Sequence, residues 1–266
     1  MMYSKTQLVL KYLNYYLKAS NSKGHGMHSP FVFEFIDEVL NDDRNFYAYD
    51  PVEKIRESLL TDQHKLVIED FGAGSRTIKN KERTIASIAK SSLKPKKYSQ
   101  LLFRMVDHYQ PKTILELGTS LGITTSYLAS AKPDATIISM EGASAIASVA
   151  KENFGKLKLN NIELTEGNFD DTLPKTISNL STIDLAFIDG NHRYQPTLNY
   201  FEQILAKSNN YSIIILDDIH WSKEMENAWK DVQDHSSVTM TIDLFFIGIV
   251  LLRNEFKVKQ HFSVRF

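Results

Sequence analysis

The sequence predicts an α/β protein built on a doubly wound sheet. From residue 112 onward, short apolar runs alternate with stretches of helical periodicity, a pattern typical of parallel strands covered by helices on both faces. The tail at 238–254 contains two strand-like runs with no helix between them, which predicts an antiparallel pair. The predicted sheet therefore has seven strands, mostly parallel, with an antiparallel C-terminal strand.

The first 92 residues have a different rhythm from the rest of the chain. Apolar side chains recur at helical spacing in 6–18, 31–42, 52–62 and 81–92, and Pro95 interrupts the pattern that follows. We therefore predict a helical extension that caps the sheet at residues 1–92 and a sheet domain at residues 93–266.

The alternation after Pro95 assigns the individual elements in order. A helix at 98–109 precedes Pro111, and the later helices fall at 123–131, 144–156, 172–179 and 195–207. The parallel strands are predicted at 112–117, 135–141, 161–167, 183–189 and 211–217.

Composition excludes several classes of site. The chain has 42% hydrophobic and 24% charged residues and a net charge of −1, which gives no electrostatic indication of a nucleic-acid partner. The one candidate basic patch, "KSSLKPKK" at 90–97, is interpreted as a solvated linker. Without cysteine, disulfides and thiolate metal sites are excluded. The N-terminus does not resemble a signal peptide, and the most apolar run, 244–252, is about half as long as a membrane span. We expect a cytoplasmic protein with no membrane or nucleic-acid partner.

Two stretches compete as the loop that holds a nucleotide-like cofactor: "LVIEDFGAGSR" at 66–76 and "TILELGTSLGIT" at 113–124. Such a loop needs a buried strand before it, a helix after it, and an acid at the end of the next strand to bind ribose hydroxyls. The second stretch meets these requirements, and Glu141 supplies the acid. The first is followed by polar, charged residues and by no acid-ended strand. The sequence therefore places the cofactor loop at 118–122.

This loop resembles the first motif of the class I S-adenosylmethionine (SAM)-dependent methyltransferases. "LELGTSLG" is similar to that family's E/D-x-G-x-x-x-G, which differs from the G-x-G-x-x-G of dehydrogenases. The resemblance implies a Rossmann-like sheet, SAM as cofactor, a ribose contact by Glu141, and an adenine subsite in "EGNFDDTLP" (166–174). The implied cofactor-binding residues are Glu116, Gly118, Thr119, Ser120, Gly122, Thr124, Glu141, Gly142, Asn168, Phe169 and Asp189.

Two later motifs resemble the metal-dependent catechol-type O-methyltransferases. "FIDGNHRY" (187–194) and "ILDDIHWS" (215–222) match the strand ends where that group of enzymes binds Mg²⁺. The resemblance implies metal ligands at Asp189, Asp217 and Asp218, and catalytic roles for Asp189 and for His192 as the general base. This chain departs from the group at two positions, because Asp218 stands for an asparagine and His192 for a lysine.

The residues themselves also favour a cation. Carboxylates at the ends of neighbouring parallel strands repel one another unless a cation or strong donors compensate them, and Mg²⁺ prefers oxygen ligands. The alternative is that Asp189 and Asp217 bind only the cofactor's amino group and loop amides, without any metal. His220 has two interpretations, a nitrogen ligand or a histidine at a helix start.

The stretch at 66–76 and the histidine-bearing "HGMHSPF" remain as secondary candidates. Asp70 and Arg76 are predicted to line the acceptor pocket from a tight turn at Gly72 and Gly74, and a structural hairpin without a chemical role is the alternative. The side chains of His25 and His28 either reach the site or belong to a loop or the core.

These observations predict a SAM-dependent methyltransferase that acts on a small molecule at oxygen, with possible help from Mg²⁺. The competing hypotheses are a SAM-binding module without catalysis and an NAD-dependent oxidoreductase. The expected partners are a small-molecule acceptor and a possible second copy of the chain, since the aromatic-rich first helix could form a homodimer.

Overall fold

The computed structural model describes residues 2–21, 29–70 and 79–266. Its helices are α1 Lys5–Lys18, α2 Pro30–Glu34, α3 Tyr49–Thr61, α4 Ile85–Ser92, α5 Lys96–Tyr109, α6 Ile123–Ala131, α7 Ser144–Lys156, α8 Phe169–Ser178, α9 Tyr194–Leu205 and α10 Lys223–Asp234, with a π-helix at Phe35–Leu40. Its strands are β1 Lys65–Asp70, β2 Lys79–Thr84, β3 Thr113–Leu117, β4 Thr136–Glu141, β5 Ile162–Glu166, β6 Ile183–Ile188, β7 Ser208–Asp217, β8 Met240–Asp243, β9 Ile247–Leu251 and β10 Gln260–Ser263.

Among the described residues, eight strands form one sheet, which confirms the predicted α/β class. The chain divides into two compact units, one comprising Met1–Asn41 with Ile177–Phe266 and the other Asp42–Thr176. The predicted division into 1–92 and 93–266 stays a prediction.

In the second unit, β3, β4 and β5 pair in parallel. Strand β3 is almost wholly buried, and each residue of α6 is buried as well. A loop between two buried elements is held at both of its ends, so the 118–122 segment starts from a fixed strand and enters a fixed helix.

In the first unit, β6 and β7 are parallel, whereas β9 runs antiparallel to both β7 and β8. This confirms the antiparallel pair predicted from the tail. The additional strand β10 pairs in parallel with β8 and is mostly exposed, so the sheet exceeds the predicted seven strands by one.

The stretch at 66–76 enters an antiparallel hairpin. The backbone of β1 pairs with that of β2 from Lys65 opposite Thr84 to Asp70 opposite Lys79. The prediction of a helix at 81–92 was wrong for its first residues, which belong to strand β2. The helix begins at Ile85 because the Thr84 side chain caps it, accepting the Ser87 N–H at 3.1 Å.

The pocket role predicted for that stretch stays untested. Gly72, Gly74, Arg76, His25 and His28 lie outside the described residues, and of Asp70 only the backbone is described.

Within the parts of the chain that the structure covers, no helix has the length and apolar character needed to cross a membrane.

Candidate active site

The loop between β3 and α6 has an unusual backbone. Gly118, Ser120 and Gly122 all have positive φ angles, of 107°, 48° and 83°. The N–H groups of Gly118 and Thr119 both donate to the carbonyl oxygen of Met140, at 2.9 and 3.0 Å. The left-handed positions suit glycine, and the shared carbonyl ties the loop to the end of β4.

Gly122 is required by packing as well as by its backbone angle. A Cβ at this position would lie 2.6 Å from Phe154 Cε1 and 3.1 Å from the Cβ of Ala150, both on α7. Gly122 also caps the N-terminus of α6. The glycine therefore lets α7 approach the point where the loop becomes a helix.

Glu141 ends β4 with its carboxylate against the loop. One oxygen accepts the Ser120 N–H at 2.8 Å and the other accepts the Ala143 N–H at 3.0 Å. Burial raises the pKa of Glu141, while these N–H groups lower it, and the raising effect is the larger. Since each carboxylate oxygen can accept a second hydrogen bond, the group is able to bind a diol without leaving the loop.

A buried hydroxyl network lies beneath the same loop. Glu116 is fully buried, and its Oε2 accepts hydrogen bonds of 2.5 Å from both Thr125 and Ser139. Ser139 also contacts the hydroxyl of Thr119 at 2.5 Å. Burial raises the pKa of Glu116 to about 7, against the lowering by the two hydroxyls. The carboxyl of Glu116 thus joins β3, β4, α6 and the loop.

The other predicted cofactor residues in this unit fall into two groups. Thr119 and Thr124 are buried, whereas Ser120, Gly142 and Phe169 are half-buried.

Asn168 is exposed and helps to start α8. Its Oδ1 accepts the Asp170 N–H at 3.1 Å. The preceding Gly167 donates its N–H to the Glu141 carbonyl at 2.9 Å, so the segment after β5 is fastened to the end of β4.

In the first unit, two carboxylates and an imidazole come together where β6 and β7 end. Ligand atoms of Asp189, His192 and Asp217 all lie within 4.8 Å of one another, and His192 Nε2 is 3.6 Å from Asp189 Oδ1. Asp217 is only 2% exposed, while the other two are half-buried. The cluster follows from the parallel pairing of β6 and β7, which brings their carboxyl ends to the same edge.

Asp218 is not part of this group, which comprises described residues only. Its φ of 53° turns the backbone into the left-handed region directly after β7, and its carbonyl accepts the Trp221 N–H at 2.9 Å. The prediction of Asp217 and Asp218 as neighbouring ligands did not take this left-handed backbone into account.

Asn191 is a polar residue of the site that the sequence analysis missed. It has a φ of 55°, and its Nδ2 donates to the Tyr200 hydroxyl at 3.1 Å. Its Oδ1 is buried and has no hydrogen-bond partner among the described residues. The only signal in the sequence is its place between Asp189 and His192.

His220 takes part in a different charged cluster, with Asp243 and Glu226. Its Nε2 lies 2.8 Å from Asp243 Oδ2, and its Nδ1 lies 3.5 Å from Glu226 Oε1. Burial lowers the pKa of His220, but Asp243 and Glu226 together outweigh it and raise the pKa. Glu226 is also held by Lys11 at 2.7 Å and by Tyr3 at 2.6 Å. These contacts account for His220 as a paired histidine.

Known proteins resemble this chain in sequence. Residues 115–219 match a family model described as a methyltransferase domain. The chain is 31% identical over 126 residues to a catechol O-methyltransferase of Niastella koreensis, and this match covers 46% of the chain and 55% of that enzyme.

Solved structures resemble it in fold. An O-methyltransferase from Bacillus cereus in complex with SAH has 18% identity and a TM-score of 0.57, covering 83% of this chain and 97% of its own. The SAH-bound Podospora anserina methyltransferase PaMTH1 has 12% identity and a TM-score of 0.60, covering 96% and 98%. The O-methyltransferase TomG from Streptomyces achromogenes, in complex with SAM, has 19% identity and a TM-score of 0.55, covering 61% and 82%. The chain therefore carries a methyltransferase domain at residues 115–219, and it spans about half the length of the curated relative that it matches.

Proposed function

We propose that this chain is a SAM-dependent methyltransferase that methylates a hydroxyl oxygen of a small molecule. The observation that carries the proposal is the hydrogen bond from the Ser120 N–H to Glu141. It attaches a carboxylate that can accept hydrogen bonds from the ribose diol to a loop whose backbone has positive φ angles. The O-methyltransferase named among the sequence relatives makes a catechol the first acceptor to test.

The cofactor roles follow the loop. Gly118, Thr119, Ser120 and Gly122 would accommodate the methionine portion, while Thr124 starts α6 and Gly142 follows Glu141. Asn168 and Phe169 would flank the adenine, and Asp189 would receive the amino group. Because Glu116 is buried, we assign it to holding the loop from beneath.

A divalent cation fits the donor set at the ends of β6 and β7. Asp189 and Asp217 offer carboxylate oxygens within 4.8 Å of each other, and hard divalent cations take oxygen ligands of this kind. The neighbouring His192 extends the possible metals beyond Mg²⁺, because imidazole suits Mn²⁺ and other transition ions. When bound, such a cation lowers the pKa of a coordinated hydroxyl.

His192 has two candidate roles. The resemblance implies that it is the base that takes the acceptor's hydroxyl proton, whereas its position beside Asp189 and Asp217 supports a role as a third cation ligand. A His192→Gln variant separates them. Loss of cation affinity supports the ligand role, and retained affinity with lost turnover supports the base. An Asp218→Asn variant should keep its cation affinity if the geometry-based assignment is right.

The chain contributes mainly orientation to the reaction. SAM supplies a methyl group already activated on sulfur, so the protein has to hold donor and acceptor in line and receive one proton. Glu141 would hold the donor through its diol, and Asp189 and Asp217 would hold the cation.

Calorimetric titration with SAM, in EDTA and then in Mg²⁺ or Mn²⁺, tests the proposal. We expect binding in both conditions, a cation-dependent heat that Asp217→Asn removes, and methylation of a catechol. SAM binding without turnover on any acceptor would favour the non-catalytic module. Absence of SAM binding together with fluorescence quenching by NADH would favour the oxidoreductase.

A further inference from the structure

Helix α1 is fixed to its own unit through one face. The Tyr15 hydroxyl donates to the carbonyl oxygen of Val264, and the Tyr15 and Tyr12 rings lie 5.3 and 5.0 Å from that of Phe245. Lys11 points to the same side and pairs with Glu226 at 2.7 Å. The helix therefore uses polar as well as aromatic side chains to bind the body of the unit.

The opposite face of α1 is apolar and exposed. Its side chains are between 46% exposed, at Tyr16, and 78% exposed, at Leu17. Helical spacing places Leu13 at the centre of this face and Tyr15 on the other side of the axis. The outer face comprises Val9, Leu10, Leu13, Tyr16 and Leu17.

This arrangement reverses the usual amphipathic pattern, in which a surface helix turns its polar side to water. The patch also continues sideways, because the Tyr12 ring stacks near Phe246, which is itself exposed. Contiguous exposed apolar surface on a soluble protein marks an interaction site. We propose that the outer face of α1 binds the same face of a second copy of this chain, with the two helices antiparallel.

The order of residues on this face is self-complementary. Val9 and Leu10 precede Leu13 by four and three positions, and Tyr16 and Leu17 follow it by three and four. A two-fold axis at Leu13 therefore sets Leu13 against its own copy, Val9 against Leu17, and Leu10 against Tyr16. An interface between identical subunits needs this reciprocity.

The area of the face is sufficient for a dimer. A large apolar side chain of this kind removes about 100 Å² of surface from water when it is buried. Five of them on each copy give about 1,000 Å² in total, which reaches the threshold of about 1,000 Å² for a biological interface.

Charge is compatible with the antiparallel arrangement. Lys5 of each helix lies beside the C-terminal, partially negative end of the other, where a cation is favourable. Lys18 points about 140° away from Leu13 around the helix axis and so avoids the contact.

The absence of cysteine from the sequence allows a direct test of register. With the full chain, a Leu13→Cys variant should form a covalent dimer under mild oxidation, because the two-fold axis brings residue 13 against itself within disulfide reach. Val9→Cys alone should not cross-link, whereas a mixture of Val9→Cys and Leu17→Cys chains should. Cross-linking of all three single variants would indicate parallel helices and overturn the proposed register.

Sedimentation over a concentration series tests the dimer itself. We expect a species of twice the 30.4 kDa chain mass, and we expect Leu13→Glu to weaken association on the order of 100-fold, because two like charges would meet at the axis. The exposed Val258→Glu is the matched control and should remain dimeric, while circular dichroism verifies that both variants fold.

A monomeric wild-type chain at all concentrations, or a dimeric Leu13→Glu variant, would overturn the proposal. In the first case, binding of the chain to phosphatidylserine vesicles, lost in Leu13→Glu, would reassign the face to a lipid surface. Neither measurement depends on methyltransferase activity, so the dimer and the proposed function can fail independently.

Discussion

The loop after β3 and the cluster at the ends of β6 and β7 are held in different ways. The loop is held by hydrogen bonds within the protein. The Met140 carbonyl accepts two of its N–H groups, and the hydroxyl network of Glu116 contacts it as well. The cluster brings two carboxylates close together beside an imidazole, and repulsion between like charges costs electrostatic free energy. The difference indicates that the loop is organised by bonds within the protein, whereas the cluster is a place where a bound cation would add stability.

The largest effect on stability is expected at Gly122, where the loop lies against Phe154. Gly122→Ala combines a φ of 83° with a Cβ only 2.6 Å from Phe154, so we expect a loss of about 4 kcal/mol in the free energy of unfolding, together with loss of SAM binding. Denaturant unfolding measures the first effect and calorimetry the second.

Gly155→Ala provides the matched control in α7. Its Cβ would meet nothing within 4 Å, so the variant should be more stable than the wild type by up to about 1 kcal/mol. Equal stability of the two alanine variants would contradict the packing role of Gly122.

The buried network predicts a dependence of stability on pH. Because the folded state raises the pKa of Glu116 from 4.5 to about 7, folding retains its proton, and stability is lost as pH rises from about 4.5 through about 7. This difference in pKa corresponds to about 3 kcal/mol.

Glu116→Gln removes the titrating group while keeping its size. The free energy of unfolding of the wild type relative to this variant should fall by about 3 kcal/mol across that range of pH, when measured by urea unfolding. A difference that stays constant or rises with pH would show that Glu116 is ionised in the folded protein.

Glu141→Gln should affect the ligand more than the fold. Replacing a charged acceptor weakens its hydrogen bonds to a diol, so we expect SAM affinity to fall by about tenfold or more. The exposed Glu163→Gln on β5 serves as the control. Unchanged SAM affinity in Glu141→Gln would contradict the proposed contact between Glu141 and the ribose.

The smallest effect is expected at the cluster. Asp217→Asn relieves the repulsion between two carboxylates, so in EDTA it should stabilise the chain by about 1 kcal/mol. We also expect a divalent cation to raise the melting temperature of the wild type and to leave that of Asp217→Asn unchanged. The exposed Asp43→Asn should change neither quantity. Destabilisation by Asp217→Asn in EDTA would mean that the cluster, like the loop, is held by bonds within the protein.

Helices and strands with a clear hydrophobic pattern were predictable from the sequence, whereas polar or exposed strands were not. The alternation of buried runs and helices predicted β3 to β7, and the acid-ended β4 identified the loop. Strands β2 and β10 are polar or exposed and depend on a paired neighbour, so periodicity could not reveal them.

The candidate site was predictable to the level of its strand ends. Spacing along the chain suggested that Asp217 and Asp218 act together, whereas the clustered ligand atoms in the structure are those of Asp189, His192 and Asp217, and Asp218 has a left-handed backbone. The role of Asp218 as a metal ligand stays a prediction. The hydroxyls of Thr125 and Ser139 gave no signal, because small polar residues in buried elements are common without any network.

The attachment of α1 has a consequence for how the chain folds during synthesis. Tyr15 and Tyr16 bind Val264 and Arg265, each 249 positions later in the sequence. A helix with apolar surface on both sides therefore leaves the ribosome long before its packing partners exist, which makes α1 a segment for chaperones to shield until those partners have been translated.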